Sequence, residues 1–149
     1  MYKNIVVAVD GSDASNKAFA HSLKLAQSLS GTLTVVTVTD RTIMLAPGAE
    51  IVQIRTEHLI DAVREAKAAE AKAILDAAEQ QAKAAGVSAV FRHITENHTA
   101  DGILEAADAE NADLIVMGSN GRRGLSRMLL GSQANEVLVR STRPVLIVR

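Results

Sequence analysis

The sequence predicts an α/β domain built on one doubly wound, five-stranded parallel sheet with helices on both faces. Three observations lead there. Four short runs rich in β-branched residues, Ile5 to Val9, Leu33 to Val38, Leu114 to Met117 and Val145 to Val148, are apolar on both faces, as strands buried in a parallel sheet are. Between them lie segments of helix-forming residues, so strand and helix alternate along the chain. Right-handed crossovers return such a chain to the same end of one sheet, which forces parallel pairing. The 149 residues, 48% of them hydrophobic, suit a single domain over 1–149 that buries a core without staples.

Taken in order, the first strand is followed by "SDASNKAFAHSLKLAQSLSG", where Ser12 or Asp13 serves as N-cap, Ala18, Leu25 and Leu29 recur at helical spacing, and Gly31 is the C-terminal stop. After the second strand, Ile51 to Ala85 is dense in Ala, Glu, Lys, Gln and Leu and ends at Gly86. At ~1.5 Å per residue an unbroken helix of that length runs roughly 50 Å, well past strands of roughly 20 Å. Its first turns are therefore expected to form a loop or to project outward. "VSAVFRHI" (Val87 to Ile94) alternates apolar and polar residues, as a strand near the sheet edge does. Thr99 or His98 opens a third helix, and "SQANEVLVRST" supplies the last one before the final strand "PVLIVR".

With the fourth strand starting on the other side of the first, the strand order is 3-2-1-4-5 and the order reverses between strands one and four. Ligands of such sheets lie beyond the carboxyl ends of the strands at that reversal. Two segments meet there, "AVDGSD" and "MGSNGRRG".

Several chemistries are disfavoured. The turn from Asp10 to Ser15 has one glycine and lacks the three of a dinucleotide fingerprint, and no Gly-Lys-Ser or Gly-Lys-Thr sits at P-loop spacing. A phosphoacceptor receiver domain shares this strand order, and Asp10 could be one of its acidic pair, but it needs a phosphoacceptor Asp after the third strand, which here ends "HITENH", and a Lys after the fifth, "PVLIVR". There is no cysteine, and His21, His58, His93 and His98 are scattered without metal-ligand spacing, so surface or capping roles are expected and no metal cage. Sixteen basic side chains against 17 acidic ones, with three aromatics, give no footprint for nucleic acid. The first apolar run is cut by Asp10, which speaks against a signal peptide or membrane span; a soluble cytoplasmic protein is expected.

What remains is the stretch Met117 to Val137, with four glycines and three arginines, in which Gly118, Gly121 and Gly131-Ser132 read G-x2-G-x9-G-S. Gly118 and Gly121 let backbone amides approach an anion, and Gly131 with Ser132 opens the last helix, where unpaired amides and the dipole favour phosphate. The Ser132 hydroxyl either caps that helix or touches phosphate or a metal-bound water. Arg122, Arg123 and Arg127 bring neutralising charge. Asp10 either caps the first helix or contacts the ligand.

That spacing, after a strand ending "LIVMGS" and before "RPVLIVR", resembles the ATP-binding branch of the universal stress protein family. "NIVVAVDGSDAS" and "LTVVTVTD" are similar to the family's corresponding segments, so the resemblance spans essentially the whole chain. It implies an adenine nucleotide alpha-hydrolase-like fold and an ATP site. Asp10 would bind ribose hydroxyls or adenine with Ala8 and Val9 beside it, and Val38 would meet the adenine edge. Met117 and Gly118 would lie under the ribose and α-phosphate. Gly121 would admit the phosphate chain, and Gly131, Ser132, Gln133 and Ala134 would grip the β and γ phosphates, with a Mg or Mn ion as companion. Where relatives often carry a further hydroxyl, this chain has Gln133, Ala134 and Asn135, so phosphate or metal contacts from that helix turn are either weaker or come from Asn135.

No nucleophile and base pair argues for efficient turnover, so a binding module is expected rather than an enzyme. Slow ATP hydrolysis, autophosphorylation or adenylyl transfer through the same loop is the alternative. The strand Pro144 to Val148 is short, apolar and last in the sheet; pairing with its own copy would bury that edge, and the resemblance implies the same homodimer.

Overall fold

The computed structural model describes residues 1–40, 53–95, 97–121 and 130–149, without the side chains of helix residues 53–56. Strands β1 (Asn4–Ala8), β2 (Thr32–Val38), β3 (Ala89–Ile94), β4 (Leu114–Gly118) and β5 (Val145–Val148) alternate with helices α1 (Asp13–Leu29), α2 (Gln53–Ala84), α3 (Thr99–Ala109) and α4 (Ser132–Arg140). All pairings are parallel and the order is β3-β2-β1-β4-β5, the order expected with the fourth strand starting on the other side of the first.

Period-two alternation divides the core. Ile5, Val7 and Val9 of the first strand and its extension, with Leu33, Val35, Leu114 and Val116, face α1 and α2 through Ala18, Phe19, Leu23, Ala78 and Ala82. Val6, Val36, Ile115 and Met117 face α3 and α4 through Ala100, Ile103, Ala106, Ala134 and Val137. Ile5, Leu33, Ile103 and Ile115 are fully buried, each worth about 1.5–3 kcal/mol of apolar burial.

Helix ends follow local chemistry. Ser12 is the N-cap of α1, its hydroxyl accepting from the Ser15 amide at 3.2 Å. The C-terminal stop differs from expectation. Ser30, not Gly31, takes the left-handed conformation (φ 49°), and Gly31 is required for another reason: a Cβ there would stand 2.9 Å from the Lys3 carbonyl oxygen. Gly86 does end the long helix region at φ +66°.

The first turns of α2 are helix from Gln53, not loop, and they project: N-terminal to Ala71 none of the described α2 side chains is buried. Its packing on β2 and β3 is carried by Ile74, Ala78 and Ala82. The helix thus reaches past the carboxyl ends of the strands, where the ligand crevice of this fold lies.

Candidate functional site

The carboxyl ends of β1 and β4 diverge to opposite faces, α1 leaving one and the chain toward α4 the other, and a cavity of about 430 Å³ opens between them. That is the size of a small-molecule site. Eleven of the residues singled out from the sequence line it: Ala8, Val9, Asp10, Val38, Met117, Gly118, Gly121, Gly131, Ser132, Gln133 and Ala134. Arg122, Arg123 and Arg127 lie outside the described residues.

One end is formed by the start of α4. Gly131 is its N-cap, without a side-chain cap, so the helix begins on bare backbone and Ser132, at the first helical position, keeps its hydroxyl for the cavity. The amides of the first turn, Ser132 to Ala134, have no intrahelical acceptor. The Gly131 amide donates to the Ser119 carbonyl at 2.8 Å, and a Cβ on Gly131 would meet that oxygen at 3.1 Å and Asn120 Oδ1 at 3.3 Å. The tight approach seats the start of α4 against the end of β4.

Asp10 holds the middle. Its Oδ1 accepts from the Ser12 amide at 2.9 Å, shaping the turn into α1, while Oδ2 points toward Gly121, where a Cβ would stand 2.8 Å away. The turn role and a place on the cavity wall are therefore compatible in one carboxylate. Gly118 has a different duty from that expected: a Cβ there would stand 2.7 Å from the Ala14 carbonyl carbon and 2.8 Å from the Ser15 nitrogen. The first constraint on it is the backbone of α1.

Gln133 is also partly committed, because its Oε1 accepts from the Ala100 amide at 3.1 Å and so caps the first turn of α3. Asn135 is exposed and absent from the lining, so the extra contact anticipated there has no support in the geometry.

The far end comes from residues given no site role in the sequence: Thr37, Thr39 and Asp40 at the end of β2, within the segment "LTVVTVTD", Thr99 of α3, and Lys67, Glu70, Ala71 and Ile74 of α2. For the last four, only the helical period of α2, continued past the sheet, could have been the signal. His93, expected at the surface or in a cap, is partly buried with Nε2 3.0 Å from the Thr39 hydroxyl, which ties β3 to this end. Among the described residues no group of three His, Asp or Glu side chains is arranged to hold a metal ion.

A doubly wound sheet with its cavity at the strand-order reversal places the chain among α/β proteins of the adenine nucleotide alpha-hydrolase-like fold. The family follows from comparison: the universal stress protein family profile matches residues 1–149, and the chain belongs to that family. It is 35% identical over 149 residues to the universal stress protein YxiE of Bacillus subtilis, covering 100% of both chains. The structure is similar to UspA of Lactobacillus plantarum (TM-score 0.78, 28% identity, 99% of this chain and 98% of that one). It is also similar to a universal stress protein solved in complex with cAMP (TM-score 0.69, 30% identity, 99% and 97% covered).

Proposed function

We propose that this protein is an adenine-nucleotide-binding regulatory module, with ATP the leading ligand, and that occupancy rather than turnover is its output. One observation carries the reading: the separate sequence segments around Asp10, Val38, Gly118 and Gly131 line a single cavity that ends on the amides of α4. A relative bound to cAMP supports the ligand class. Phosphates fit at the α4 end, where helix amides and dipole favour negative charge. A magnesium or manganese ion would be held there by nucleotide phosphates and water, with the Ser132 hydroxyl as protein contact, in keeping with the waters that magnesium retains.

The same hydroxyl, exposed at the phosphate end, favours a second reading in which Ser132 accepts a phosphoryl group or the site hydrolyses ATP slowly. Mass spectrometry of small molecules released from freshly purified, denatured protein, followed by calorimetric titration of the stripped protein with ATP and Mg²⁺, tests the binding reading. No released adenylate together with no heat would refute it; steady phosphate release would favour the second.

The protein acts as a homodimer through Pro144 to Val148 in this reading. In support, β5 is a sheet edge, and Val139 on the adjoining α4 is 75% exposed. Among the described residues no helix is long and apolar enough to cross a membrane, and we place the protein in the cytoplasm.

A further inference from the structure

Gly102 sits inside α3, where only proline is a poorer helix former, and its backbone has no positive φ that would call for glycine. Its reason is contact. A Cβ on Gly102 would stand 2.9 Å from Val38 Cγ2, 3.0 Å from Val38 Cγ1 and 3.3 Å from Ile94 Cγ2, so α3 is seated directly against the last residues of β2 and β3. Both methyls of Val38 face the glycine. A valine distributes two methyls over three staggered positions, so every rotamer leaves at least one of them in the path of that Cβ, and rotation alone does not clear it.

The two sides of this contact are not equally free to move. On α3, Ala100, Ile103, Ala106 and Ala107 are buried on the sheet. The Thr99 hydroxyl donates to Asp40 Oδ1 at 3.0 Å, and the Ala100 amide donates to Gln133 Oε1 at 3.1 Å, so the first turn of the helix is tied on two sides. Val38 ends its strand, is only partly buried and lines the cavity. A side chain pushed off Gly102 therefore moves toward the cavity.

We propose that Gly102 is the positioning residue that holds Val38 clear of the nucleotide. The missing Cβ sets the width of the cavity at its β2 end, and with it the room for the nucleoside part of a ligand whose phosphates lie at α4. This rests on the nucleotide-binding reading above. In ligand-free protein a displaced Val38 can lean into the cavity at little cost, whereas a bound nucleoside closes that exit. The penalty of a Cβ at position 102 then falls on affinity rather than on the fold.

Calorimetric titration of wild type, Gly102→Ala, Val38→Ala and the double variant with MgATP tests this, with the ligand-free Tm of each measured alongside. Gly102→Ala is expected to bind MgATP at least about fivefold more weakly, the affinity equivalent of mild overpacking. Its ligand-free Tm should move by less than about 4 °C, because the better helix propensity of alanine offsets residual strain. On the Val38→Ala background the same substitution should change affinity by less than about twofold, since the methyls it would meet are gone. Should Gly102→Ala bind MgATP as wild type does, or lose as much affinity beside Val38→Ala as alone, the inference fails and the functional reading stands. A Gly102→Ala protein that does not fold puts the cost on the fold and overturns the inference as well. A wild type that binds no nucleotide overturns the functional reading, and this one with it.

Discussion

Gly118→Ala tests whether the first glycine of the loop serves the ligand or the fold. The added Cβ would lie 2.7 Å from the Ala14 carbonyl carbon, 2.8 Å from the Ser15 nitrogen and 2.9 Å from the Ala14 Cβ. Two of these contacts are backbone, so no side-chain rotation relieves them. To restore an ordinary separation of roughly 3.5 Å, α1 must retreat by several tenths of an ångström, enough to forfeit part of each dispersion contact across that interface. The residues that lose packing are Ala18, Phe19, Leu23 and Ala26, all buried on the sheet. Overpacking of this kind costs about 1–3 kcal/mol, which for a domain near 150 residues lowers Tm by roughly 2–4 °C per kcal/mol. The expected fall is about 2–12 °C, measured by scanning calorimetry on nucleotide-stripped protein. A Gly118→Ala protein whose ligand-free Tm matches wild type, but whose ATP affinity has dropped, would refute the packing account and return Gly118 to the ligand.

Ser12→Ala removes the N-cap acceptor of α1 and should cost about 1 kcal/mol in urea unfolding, with the m-value unchanged. Asp10→Asn keeps an acceptor for the Ser12 amide but removes the charge, so stability should hold while calorimetric ATP affinity falls about tenfold; equal affinity would exclude a ligand role for the carboxylate. Gln133→Ala strips the Ala100 amide of its acceptor and should lower stability by about 1 kcal/mol in urea unfolding while ATP affinity changes by less than about threefold, because the Gln133 side chain is already committed to that amide. Ile147→Pro tests the dimer. The carbonyls of Pro144 and Val148 bond to β4, so strand alternation turns the Ile147 amide to the free edge, and its loss should leave the β4 ladder intact yet give a monomer by light scattering.

The sheet was legible because its signal is local. Runs such as Ile5 to Val9 state burial on both faces, and their alternation with helices calls for parallel pairing, while the order 3-2-1-4-5 needed the further step of starting the fourth strand on the other side of the first. The cavity was half legible: glycines and Asp10 stand in fixed spacing at strand ends, where topology dictates that a crevice forms. What escaped depends on distance in space. Ala71 and Glu70 are ordinary positions of an Ala-rich helical run in the sequence, and only the placement of α2 over the end of β2 brings them to the cavity. Ser30 and Gly31 failed for a related reason, since the demand for glycine at position 31 comes from Lys3 on another element. Gly118 was assigned to phosphate on the strength of its spacing, whereas the constraint that the coordinates reveal comes from α1.

Because α2 outruns the sheet, one continuous helix spans two environments. Its amides after Ala71 are backed by the core, whereas among the described residues no α2 side chain before Ala71 is buried, and the i,i+3 pair of Asp61 and Arg64 stands at 3.9 Å. Helical segments with few buried side chains open readily in water. Deuterium uptake should therefore be graded along α2, rapid over residues 57–66 and slow beyond 71. The cavity-lining residues Lys67, Glu70, Ala71 and Ile74 sit on that boundary. A ligand that holds them would move the slow-exchanging zone outward along the helix, so that occupancy of a buried cavity becomes a change in order on the outer surface, where another molecule can sense it.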